Sequence, residues 1–150
     1  MRLFSIFAAL LITLTCGCQR ISFGVITDQS ISVTSDWVSI SMPKPVTAKW
    51  DVQAIYLDVI SKHESSIDPM GTRLQDGSVV KPEIELLTET GQVQSFRFVG
   101  FSNAELVFEN DHIVRGSTFS KLRIRSPKPL VCSRIKWVSY MPEDTKTGVP

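Results

Sequence analysis

Apolar and polar residues alternate with a period of two along most of this chain. Ile21, Phe23 and Val25 alternate with Ser22 and Gly24. Val38, Ile40 and Met42 alternate with Ser39 and Ser41. The same pattern places Ile55, Leu57 and Val59 on one face, then Ile84 with Leu86, Phe96 with Phe98, and Leu106 with Phe108. Leu122 with Ile124, and Ile135 with Trp137, close the series. Alternation of this kind marks half-buried strands, and the spacing of a helical face is almost absent. Eight or nine short strands suit a single antiparallel β-sandwich, of jelly-roll or immunoglobulin-like type.

Turn residues fall between these runs, at Asp76-Gly77, Thr90-Gly91-Gln92, Asn110-Asp111 and Arg115-Gly116-Ser117. Thr90-Gly91 predicts a hairpin between a strand at 83–88 and one at 94–99. Pro43 and Pro45 are expected to end a strand, because proline cannot donate to a ladder. Residues 62–82 form the longest stretch without strand pattern. They read as a crossover between sheets, or as a variable surface loop.

The first seventeen residues depart from the alternation. Arg2 is followed by an apolar run from Leu3 to Leu14, interrupted only by Ser5 and Thr13. A membrane-spanning helix needs about 17–25 residues, so this is a signal segment. It ends in Leu14-Thr15-Cys16-Gly17-Cys18 rather than in an Ala-x-Ala site. That ending resembles the lipobox of bacterial lipoproteins, in which Gly or Ala precedes the modified cysteine. Gly17 makes Cys18 the matching residue, and Cys16 fits less well behind Thr15. The resemblance implies a signal peptide over 1–17, a diacylglyceryl thioether on Cys18, and acylation of the new amino terminus. It also implies a lipid-anchored domain over 18–150 in the bacterial cell envelope. Gln19, in place of Asp, implies the outer membrane in the Gram-negative pattern.

Removal of residues 1–17 leaves 133 residues with fifteen bases and fifteen acids. That length suits one domain with its own core, and the neutral balance argues against a nucleic-acid partner. With Cys16 discarded and Cys18 acylated, Cys132 has no cysteine to pair with. It is expected to be a buried small hydrophobe. The anchored strand at Ile21–Val25 would leave only Gln19 and Arg20 as a link, about 7 Å at full extension. A flexible leash over 19–30 is the other reading.

Charge is uneven. Lys121, Arg123, Arg125, Lys128, Arg134 and Lys136 fall within sixteen residues that hold no acid. Alternation turns Lys121, Arg123 and Arg125 outward beside Leu122 and Ile124, and Arg134 and Lys136 outward beside Ile135 and Trp137. Were these two strands to pair, five cations would share one face. They would form a candidate site for anionic envelope ligands, such as phosphorylated headgroups or an acidic glycan. Glu83, Glu85 and Glu89 also point outward, and cross-strand ion pairs with them are the structural alternative.

Trp37, Trp50 and Tyr56 fall outside the inward phases and are candidate sugar-stacking residues, whereas Trp137 reads as core. The only histidines, His63 and His112, sit in no recognisable catalytic or zinc motif. His63-Glu64 with Asp68, and Asp111-His112, read as polar loop residues. The expectation is a non-catalytic domain without a cofactor or metal. Its partners would be the membrane, through the lipid, and an envelope protein or glycan. A galactose-binding jelly-roll module is the alternative, and an envelope hydrolase a more distant one.

Overall fold

The computed structural model describes residues 20–68 and 70–142, and residues 1–19, with the expected signal segment and Cys18, lie outside them. Among the described residues there are twelve strands and no helix. They are β1 (Ile21–Thr27), β2 (Ile31–Val33), β3 (Val38–Thr47), β4 (Val52–Val59), β5 (Lys62–Asp68) and β6 (Gly71–Leu74). Then follow β7 (Val79–Val80), β8 (Glu83–Thr88), β9 (Val93–Ser102), β10 (Glu105–Asn110), β11 (Thr118–Arg125) and β12 (Leu130–Tyr140).

Eight strands form one antiparallel sheet in the order β1-β12-β4-β10-β9-β8-β11-β3, and β2 extends it along β12. The end strands β1 and β3 approach each other but form no ladder. The sheet is therefore a nearly closed barrel with one seam, not the two stacked sheets expected from strand count. The reason lies in β9. Its first half pairs with β8, through Ile84 opposite Phe96. Its second half pairs with β10, through Phe108 opposite Phe98 and Leu106 opposite Phe101. A bulge at Val99, next to Gly100 with φ of 144°, bends the strand between its two partners. A strand shared in this way joins what would otherwise be separate sheets.

Most of the alternating apolar positions fill the interior. Ile55, Leu57, Ile84, Leu86, Leu106, Phe108, Phe119, Leu122, Ile124, Cys132, Ile135 and Trp137 belong to one contiguous buried cluster. An eight-stranded barrel has an interior just wide enough for side chains to fill. Phe98 packs edge-on against Phe108, with centroids 5.5 Å apart.

Three local expectations change. β3 does not stop at Pro43 but continues to Thr47. The register slips there, so that Met42–Pro45 bulge out of the ladder opposite Ser120 alone. Two prolines without amide protons are tolerated here because β3 is an end strand and its ladder is interrupted at this point. Residues 62–82 are not a loop, because β5, β6 and β7 make a small antiparallel sheet. The hairpin at Thr90-Gly91 is present, closed by Gly91 and Thr88 amides that donate to Thr88 and Gln92 carbonyls.

The third change concerns β1. Ile21, Phe23 and Val25 share a face, but that face points outward. Their partners across the ladder are Tyr140, Val138 and Lys136, which alternate with the buried Ser139, Trp137 and Ile135. Trp137 lies opposite Gly24, and a Cβ at Gly24 would sit 3.7 Å from its ring. The indole fills the interior at this level, so β1 offers serine and glycine inward. Ile26, in the same phase as Gly24 and within a bulge between Val25 and Thr27, is buried.

Candidate functional site

The basic residues sit on two strands that are not neighbours. β11 pairs with β3 and β8, whereas β12 pairs with β1, β2 and β4. Lys121, Arg123, Arg125, Arg134 and Lys136 therefore do not share one face. β11 instead runs beside the acidic strand β8, with Arg123 directly opposite Glu85 and Arg125 opposite Glu83. Both pairs are made: Arg123 Nε donates to Glu85, and Arg125 donates to Glu83 at 2.7 Å. Lys136 pairs with Glu105 across the outer face, and Lys128 reaches Asp76 at 3.1 Å. Lys121 and Arg134 remain exposed. The alternating charges on β8 and β11 are thus the internal ion pairs that the outward-facing glutamates offered.

The aromatic candidates are equally dispersed. Trp37 precedes β3, and the guanidinium carbons of Arg123 and Arg125 lie 4.8 and 4.6 Å from its ring centroid. Its π-face holds cations, a favourable contact for arginine. Tyr56 lies on β4, with Lys136 Nζ 5.6 Å from its centroid. Trp50 stands before β4, where its amide and that of Lys49 donate to the Ser139 hydroxyl. The three rings are half-buried, Trp37 against β11 and Tyr56 on the outer face of β4.

The outer face of β10, β4 and β12 carries a compact polar network. The Tyr140 hydroxyl donates to Glu109 at 2.5 Å, and burial together with this carboxylate raises its pKa. Burial, with Glu109 and Glu105 nearby, also raises that of Tyr56. Ser133 donates to Asp58 at 2.6 Å and, with Lys62 and Arg134, holds that carboxyl below its ordinary range. Ala54 and Val107 lie buried on this face. The network is a second packed layer on the outside of the barrel, and of the candidate residues it engages Tyr56, Arg134 and Lys136.

Cys132 is buried, and desolvation with Asp58 nearby pushes its thiol up to about 12. A thiol so placed is protonated at neutral pH and inert as a nucleophile. His112 is exposed, with Asp111 at 3.3 Å. The side chains of His63, Glu64 and Asp68 lie outside the described residues. Among the described residues no three His, Cys, Asp or Glu converge in a way that could hold a metal ion.

A row of exposed apolar residues lies at the seam. Ile21, Phe23 and Val25 are 55%, 60% and 50% exposed. Between β1 and β3 runs a groove of about 310 Å³, lined by Phe23, Val25, Pro45, Trp137, Lys44 and Lys49 among others, and by no acid. The alternation had marked the three apolar residues as a strand face, but nothing local said which way that face would turn. Comparison with protein families, with curated proteins and with solved structures finds no match to this chain.

Proposed function

We infer that this chain is a non-catalytic, lipid-anchored module of the bacterial envelope, held by Cys18 at the outer membrane and acting by binding or scaffolding. The observation that carries the reading is the start of β1 at Ile21. The folded barrel begins three residues after the candidate acylation site, which favours a close tether over a leash. Two or more acyl chains anchor a protein stably, whereas one does so only marginally. The role as a binding module is supported by the state of the reactive groups. The Cys132 thiol is buried, and the half-buried Arg123 and Lys136 are paired with Glu85 on β8 and Glu105 on β10.

The test compares the native chain with Cys18→Ala in a Gram-negative host. The native protein is expected in the membrane fraction, with the mass of a diacylglyceryl group on the mature chain. Cys18→Ala is expected to remain an unacylated, uncleaved precursor. Normal maturation and membrane partitioning of Cys18→Ala would overturn the anchor. Crosslinking of the anchored protein in envelope fractions, followed by mass spectrometry, is expected to recover a partner.

A further inference from the structure

We propose that the outward row Ile21, Phe23 and Val25 is a bilayer-contacting face, which seats the barrel on the membrane with the seam turned toward the lipid. Three large apolar residues in succession on one strand face are at least half exposed. Single exposed apolar residues are ordinary, but a contiguous row marks a contact surface. The row rests on the anchor reading for its position. Ile21 stands three residues beyond Cys18, a reach of at most about 11 Å. A chain this short keeps the start of β1 within about 11 Å of an acylated Cys18, next to the headgroup layer.

The surroundings on the β3 side favour lipid. Lys44 and Lys49, both exposed, line the groove beside Phe23 and Val25. Apolar side chains flanked by lysines are the arrangement of interfacial membrane binders, and the lysines suit anionic headgroups. A peptide strand added along β3 would meet Pro43 and Pro45, which have no amide proton to donate. The inward face of β1 is glycine and serine over Trp137, so the row cannot fold back into the core by a change of side-chain rotamer.

The test uses the mature lipidated protein with a single reporter. Phe23→Cys is labelled with an environment-sensitive fluorophore; the buried Cys132 stays unlabelled in the native state. Glu89→Cys, in the exposed turn between β8 and β9, serves as the control. Labels at Ile21→Cys and Val25→Cys replace the first if Phe23→Cys does not fold. The proteins are reconstituted into vesicles of phosphatidylethanolamine and phosphatidylglycerol that contain a spin-labelled lipid quencher. Blue-shifted emission at residue 23, with quenching several-fold stronger than at residue 89, is the expected result. Equal quenching at the two sites overturns the proposal. So does a blue shift without vesicles that fades on dilution, which would show a second copy of the chain on this face. Failure of the anchor reads out separately, as a mass without diacylglyceryl on Cys18. In that case the label is read with Cys16 and Cys18 replaced by serine, where contact of residue 23 with the vesicles still supports the face and its absence rejects it.

Discussion

The same substitution at two phenylalanines separates a packed row from a presented one. Phe108 is fully buried, inside the barrel and edge-on to Phe98. Phe108→Ala removes a core ring and leaves a cavity, at a cost of about 3–5 kcal/mol. Phe23 is 60% exposed. Full burial of such a side chain contributes about 1.5–3 kcal/mol, so the covered part of Phe23 contributes about 1 kcal/mol or less. For a domain of this size each kcal/mol moves Tm by about 3–5 °C. Thermal unfolding followed by circular dichroism should therefore drop by roughly 10–20 °C for Phe108→Ala and by less than about 5 °C for Phe23→Ala. The assay is run on the mature chain without lipid or membrane, where no bilayer can cover the row. A loss at Phe23 as large as that at Phe108 would refute the reasoning, because β1 would then be packed in solution and not presented.

Two further outcomes test the electrostatics. Arg123 and Glu85 are the more buried of the two β8–β11 ion pairs, at 32% and 15% exposure of their side chains, against 40% and 58% for Arg125 and Glu83. Glu85→Gln should cost about 1–2 kcal/mol and Glu83→Gln less than about 0.5 kcal/mol in urea unfolding; equal costs would show that burial does not grade these pairs. Asp76 is held at about 2, first by the Ser78 hydroxyl and amide and then by Lys128, against an ordinary value of 3.8. A carboxyl lowered in the folded state stabilises above its unfolded value and loses that contribution as pH falls through the folded one. The deficit of Asp76→Asn should be present at about pH 5 and shrink toward about pH 2, as read from urea midpoints; a deficit that stays constant over this range would remove Asp76 from the acid response.

Much of the barrel wall was legible from residues alone. Ile55, Leu57, Leu122, Ile124, Ile135 and Trp137 are buried as their phases predict, because a strand with one polar face has only one stable way to lie on a core. The Glu83 and Glu85 pairs with Arg125 and Arg123 were legible as one of two outcomes, since both strands turned their charges outward. What could not be read was adjacency. Whether β11 borders β12 or β8 is set by loop closures tens of residues long, and no local signal encodes them. The small sheet of β5 to β7 escaped for another reason: Lys62–Asp68 is mostly polar and shows no apolar alternation.

β1 marks the division most sharply. By itself the sequence determined that Ile21, Phe23 and Val25 share one face of a strand, because side chains alternate at every residue. It also determined that Cys18 stands three residues before that strand. Only the tertiary structure decided that the face looks outward. Trp137, more than a hundred positions away, occupies the interior at Gly24, and Ile26, in the same phase as Gly24, is buried. Periodicity records which residues point the same way. Which side is inside depends on the volume that distant residues have already filled.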